Sequence, residues 1–167
     1  MTLDELWLSL ETSAIGDFIA VSAWAFPTLE TLHVIALVTV LGSILVVDLR
    51  MLGLASKATP ITVLSNDALR LTWIGFICAA TTGLLLFVSK ASSYAINPYF
   101  QIKVILLALA GLNMLYFHFV TQKSVAQWDS AADIPTAVKV SGAVSLIFWI
   151  SITFFGRAIG HTLGMFY

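Results

Sequence analysis

The chain has 167 residues, of which 59% are apolar and 10% charged, with a net charge of −1. A soluble domain carries about 25% charged residues, so this composition, with a mean hydropathy of +0.97, belongs to an integral membrane protein of one domain, residues 1–167. The charge balance gives no reason to expect a nucleic-acid partner, and a single cysteine, Cys78, leaves no disulfide framework, paired-thiol motif or Cys-x-x-Cys-His haem attachment.

Residues 1–26 are mixed in character. "DELWLSLE" spaces Leu6, Trp7 and Leu10 along a helix with Asp4, Glu5 and Glu11 on other faces. "AIGDFIAVSAWAFP" is apolar but short and is interrupted by Asp17. The region reads as an interfacial helix followed by a partly inserted segment, stopped by Pro27; a fifth span is the alternative. The acidic start lacks a basic n-region, so a cleaved signal peptide is not expected.

Crossing the hydrocarbon takes about 20 mostly apolar residues. Four stretches qualify, at residues 28–54, 68–92, 98–120 and 136–163. In lipid such spans must satisfy their own backbone hydrogen bonds, which makes them helices. The breaks between them carry loop chemistry. "SKATPITVLSND" contains a Thr-Pro step, "INPYF" sets Asn97 before Pro98 as a helix start, and "KSVAQWDSAADIP" ends in Pro135. The expected fold is an all-α, four-transmembrane-helix bundle in the lipid bilayer, with an N-terminal interfacial or partly inserted helix.

Basic residues set orientation. Arg50, Lys57, Arg70, Lys123 and Lys139 flank the loops after the first and third spans, against Lys90 and Lys103 on the other side and Arg157 inside the last span. That imbalance places those loops in the cytoplasm and both termini in the periplasm of a bacterial inner membrane.

Ionisable residues within spans are functional candidates. All three histidines, His33, His118 and His161, fall in expected spans. Counting along the helices puts His33 roughly 12 Å and His161 roughly 15 Å outward of mid-span, and His118 roughly 12 Å inward. A haem b needs one or two axial ligands from facing helices, and His33 with His161 would supply them; His118 is the alternative second ligand. Glu30 lies one turn before His33 and is a candidate acceptor for its free ring nitrogen. Arg157 is a candidate partner for a propionate or for Glu30. Gly156, Gly160 and Gly164 form a small-residue ladder, and Gly111 lies two turns before His118; both would let a flat ring or another helix approach.

Each feature also has a structural account. His33 and Glu30 can form a buried pair, His161 can sit at the interface, His118 can snorkel, and the ladder can be helix packing in a homo-oligomer. Asp48 and Arg50 read as caps of a helix end. Asn113, mid-span, reads as an interhelical hydrogen-bonding residue.

The stretches "FPTLETLHVIALVTVLGSILVVDLRMLG", "NPYFQIK", "LAGLNMLYFH" and "WISITFFGRAIG" resemble a family of small uncharacterised bacterial membrane proteins, over most of the chain. The resemblance rests on Pro27, Glu30, His33, Gly42, Asp48, Arg50, Pro98, Lys103, Asn113 and Arg157. More distantly, the chain is similar to four-helix b-type cytochromes and to the membrane part of CopD-type copper-resistance proteins, which implies haem or a metal. No catalytic motif is present. The leading expectation is a haem-b protein for electron transfer or redox sensing, with an unidentified redox partner. A copper-binding or transport-related protein and a non-catalytic scaffold or accessory subunit are the alternatives.

Overall fold

A computed structural model describes residues 2–56, 58–117, 119, 125, 129, 134–163 and 165. Expectations attached to His118 and Gly164 therefore fall outside the described residues. Among the described residues seven helices follow one another: α1 (Leu3–Glu11), α2 (Ala14–Val21), α3 (Ala25–Met51), α4 (Ile61–Val88), α5 (Ala91–Ile96), α6 (Pro98–Tyr116) and α7 (Thr136–Thr162). Four of them, α3, α4, α6 and α7, are long and apolar enough to cross a membrane, and no strand occurs among the described residues.

The N-terminal helices have 9 and 8 residues, about 14 and 12 Å of rise, too short to span. Thr2 and Glu5 close a reciprocal capping box on α1, with the Glu5 N–H donating to Thr2 Oγ1 at 3.3 Å and the Thr2 N–H to the Glu5 carboxylate at 2.9 Å. Glu11, at the far end of α1, accepts from the Ser92 N–H at 3.1 Å and ties α1 to α5. Trp7 meets Phe87 edge-on at 5.8 Å, and Phe87 stacks on Phe100 at 5.3 Å. These helices thus form a cover across one end of the bundle, as an interfacial segment would.

The span limits differ from the sequence reading in instructive ways. Helix α3 begins at Ala25, with Pro27 inside its first turn, where a proline costs no hydrogen bond because the first N–H groups have no intrahelical partner. Helix α4 begins at Ile61 rather than 68; its polar first turns, with Asn66 and Asp67 exposed, extend the helix beyond its apolar stretch. It stops at Val88, and Lys90 (φ −149°, ψ 43°) turns the chain into α5. Asn97 caps α6 as expected, its side-chain oxygen accepting from the Tyr99 N–H at 2.9 Å, with Pro98 in the first turn.

The helices pack as two antiparallel pairs, α3 with α4 and α6 with α7, joined along α3 and α7. The α3–α4 register is fixed by facing residues: His33 with Thr82, Val40 with Gly75, and Ser43 with Thr72. Gly75 permits the close approach. A Cβ there would stand 2.9 Å from Val40 Cγ2 and 3.2 Å from the Ala36 carbonyl oxygen. Gly142 does the same between α7 and α3, where a Cβ would lie 3.1 Å from Met51 Cβ and 3.2 Å from the Asp48 carbonyl oxygen. Asn113 bridges α6 to α7 by donating to the Ser141 carbonyl at 3.1 Å and accepting from the Ser141 hydroxyl at 3.3 Å, the interhelical role its mid-span position implied.

Candidate functional site

Two polar places interrupt the apolar interior, one toward each end. The first is built around His33. Its Nδ1 lies 3.0 Å from Thr82 Oγ1. The Thr82 hydroxyl proton is already committed, because Oγ1 donates to the Cys78 carbonyl at 2.7 Å within α4. Thr82 therefore accepts from His33, and the proton of the neutral imidazole sits on Nδ1. The Ala79 carbonyl is a second hydrogen-bonding neighbour of the ring, and a carbonyl too accepts only from the Nδ1–H in this tautomer. Among the described residues no hydrogen bond engages the Nε2 lone pair.

The ring lies over Gly83, where a Cβ would stand 3.0 Å from Cε1 and 3.5 Å from Nδ1. Lys103 of α6 is near enough for its charge to act on His33. The end of the lysine side chain passes over Gly156 of α7, whose Cβ would lie 3.7 Å from Nζ. One backbone without a side chain thus makes room for the imidazole, and another for the ammonium. Neither Thr82, Gly83 nor Lys103 was a site candidate in the sequence. Lys103 carried a signal, since a lysine five residues into a span is an ionisable residue where lipid should exclude one.

The other sequence candidates are distributed differently. Glu30 is exposed. Its charge reaches Tyr94 of α5, whose hydroxyl is pushed up by burial first and by Glu30 second. Arg157 and His161 are exposed on α7. Asn97 donates to Thr162 Oγ1 at 3.0 Å and levels the end of α7 with the start of α6. His161 thus stands five residues, about 7.5 Å, outward of the level where Gly156 meets Lys103. Gly160 has open space where its Cβ would be, so it packs against nothing described. Gly111 also has open space there, for a different reason: it lines a cavity.

That cavity, of about 270 Å³, is the second polar place and lies toward the opposite end, between all four spanning helices. Trp73, Phe76 and Trp149 form much of its wall, and Asp48, Asn113, Ser141 and Ser145 supply polar atoms. Asp48 does not cap a helix end. It is 5% exposed, faces this cavity, and its Oδ2 has no hydrogen-bond partner among the described residues. Ser145 is its hydrogen-bonding neighbour.

Arg50 does hold the helix end, though by reaching across it. Fully buried, it donates from Nε to the Thr59 carbonyl at 2.9 Å and from Nη2 to the Asp129 carbonyl at 3.3 Å. Asp129 in turn caps α4, which begins after a proline that offers no side-chain cap. Its carboxylate accepts from the Thr62 N–H at 2.8 Å and the Thr62 hydroxyl at 2.6 Å. Those two bonds, the hydroxyl's foremost, hold the Asp129 carboxyl below the usual carboxylate range.

The chain matches the model of the Family of unknown function (DUF6644) over residues 7–162 and belongs to that family. No curated protein and no solved structure matches it.

Proposed function

We propose that this DUF6644 member binds haem b in the bacterial inner membrane through His33 and serves electron transfer or redox sensing. One observation carries the reading: the Nδ1–H of His33 is held by Thr82, which leaves Nε2 as a directed lone pair. A ligating histidine is commonly fixed in this way, one ring nitrogen donating to the protein and the other turned to the metal. The Gly83 wall beneath the ring and the nearby Lys103 ammonium add supporting chemistry, since haem carries anionic propionates. When bound, the haem would supply one-electron chemistry; the chain's part is to orient the ligand, exclude water and balance charge.

Haem is favoured over copper by what each requires. A copper site calls for several clustered ligands, and no three His, Cys, Asp or Glu side chains gather among the described residues. A haem needs only one or two. His161 or, as the alternative, His118 would supply a second ligand, and Arg157 and Glu30 would balance charge on the side of His33 and His161. The bias of basic residues supports periplasmic termini, and the open face of Gly160 supports a homo-oligomer through close helix contact.

The test is the optical spectrum of protein produced with haem available. A Soret band that disappears or changes spin state in His33→Ala is expected, with Glu30→Gln keeping the haem. A wild type with no Soret absorption after haem is supplied would leave His33–Thr82 as a structural hydrogen bond in a scaffold protein.

A further inference from the structure

The cavity between the four spanning helices lies away from His33 and contributes nothing to holding it. We propose that it is a binding site for the ring of a membrane-soluble quinone or quinol, anchored by Asp48.

The first ground is the cavity itself. An apolar cavity of about 150 Å³ accepts a benzene ring; at about 270 Å³ this one has room for a ring with substituents. It is small beside the space a drug-sized ligand or a porphyrin needs. The second ground is its walls. Trp73, Phe76 and Trp149 offer flat faces for offset or edge-on ring contacts. Trp73 and Phe76 are 51% and 41% exposed on α4, so the cavity is bordered by side chains that face lipid, and a lipid-dissolved molecule reaches it without crossing water.

The third ground is Asp48. Its buried Oδ2 lacks a partner among the described residues, and a buried acceptor left unbonded destabilises the fold until something donates to it. Arg50, two residues away, does not neutralise the carboxyl, because its guanidinium is committed to the carbonyls of Thr59 and Asp129. Asn113 and Ser141 satisfy each other, and Thr72 is bonded to Ser43 at 2.8 Å. Among the described residues that line the cavity, Asp48 is the only ionisable side chain. One unsatisfied oxygen at the side of an aromatic slot suits a ring with a hydroxyl or carbonyl on its edge. A quinol hydroxyl donates to the carboxylate, and a quinone carbonyl accepts from the acid form. A permanently charged lipophilic cation would match the carboxylate's charge but brings no hydrogen bond to that oxygen.

This site is independent of the haem reading, and its test does not need haem. Quinones quench nearby tryptophan fluorescence, and two of the cavity's walls are tryptophans. The purified full chain in detergent is titrated with decylubiquinone, and separately with menadione. Saturable quenching by either ring is expected. Trp73→Phe and Trp149→Phe should each remove part of it, and Asp48→Leu should weaken the apparent affinity at least tenfold. Gly111→Phe should abolish saturation, because a side chain at Gly111 grows into open cavity while Asp48 stays in place. Gly42→Ala, outside the cavity and with nothing within 4 Å of the new Cβ, should leave the quenching unchanged. Each variant is compared only after its helical circular dichroism and native mass match the wild type. Non-saturable quenching, or saturable quenching equal in the Asp48 and Gly111 variants, would overturn the proposal. So would Asp48-dependent binding of tetraphenylphosphonium without quinone binding, which would make this a cation site.

Discussion

Replacing Thr82 by valine removes one oxygen from the His33 niche and almost no volume. In the wild type, that oxygen accepts the His33 Nδ1–H at 3.0 Å while donating to the Cys78 carbonyl at 2.7 Å. The Cys78 carbonyl already serves the α4 backbone, so its loss of a second donor is cheap. The His33 N–H is different, because it is half-buried and faces helix rather than water. Interhelical hydrogen bonds inside membranes average about 0.6 kcal/mol and reach about 1.7. Leaving a buried donor unmade falls in the same range or above it. We expect Thr82→Val to lower the stability of the folded protein by about 1 kcal/mol, read by denaturant or steric-trap unfolding in detergent. The larger effect is on ligation. Without the hydroxyl the imidazole keeps only the Ala79 carbonyl as a partner and is held less firmly, and loss of such a partner weakens metal binding by roughly 10–100-fold. Haem titration followed at the Soret band measures this, and Thr82→Ser should restore it. Unchanged haem affinity in Thr82→Val would refute the claim that this hydrogen bond directs Nε2 to a ligand.

Further outcomes follow from the packing and the loops. Gly75→Ala should destabilise the α3–α4 pair by about 1–3 kcal/mol, since its Cβ would meet Val40 at 2.9 Å; Gly42→Ala, with nothing within 4 Å of the new Cβ, is the neutral control in the same unfolding assay. Asp129→Ala should cost about 1 kcal/mol, as the loss of a helix cap does. The Asp129 carboxyl is held below its ordinary value of 3.8, so its contribution is present above that pH and fades as the pH falls through the folded value. The difference between wild type and variant in thermal unfolding should therefore be flat near neutrality and vanish in acid. Gly160→Leu should reduce the native mass of the assembly; an unchanged mass would remove Gly160 from the contact. A cysteine added after Tyr167 should react with an impermeant reagent from the periplasm, and labelling only in opened membranes would reverse the topology.

The four spans were legible because the membrane imposes one solution on a long apolar segment. So was the start of α6, where Asn97 and Pro98 carry the local chemistry of a helix N-terminus. Span limits were less legible. The sequence marks where the long apolar run begins, whereas α4 extends about two turns beyond that point through the mixed stretch at 61–67, capped by Asp129 from far along the chain. Asp48 was misread for a related reason. Its position near a helix end suggests a cap, but Ile44, Asp48 and Met51 recur at helical spacing on one face and all line the cavity. That periodicity was available in the sequence and outweighs proximity to the end.

His33 stood out in the sequence, but its partner did not. Glu30, one turn away, was the local candidate, while the acceptor at Nδ1 is Thr82, 49 residues along the chain. No local pattern encodes the α3–α4 register that brings them together. The register depends on Gly75, where two backbones meet, and a single glycine in an apolar helix does not announce its partner. Lys103 and Gly156 share that difficulty: each stands out in the sequence, but nothing there pairs them until α6 and α7 are placed side by side.

If His33 holds haem through its Nε2 lone pair, as proposed, chemical rescue will expose it. His33→Gly protein, produced with haem and purified, is scanned through the Soret and visible region before and after addition of imidazole. The variant should lose or alter the wild-type haem spectrum, and free imidazole, entering the space left between Thr82 and Gly83, should restore it. A wild type and a His33→Gly variant with the same haem content and the same spectrum, unaffected by imidazole, would contradict it.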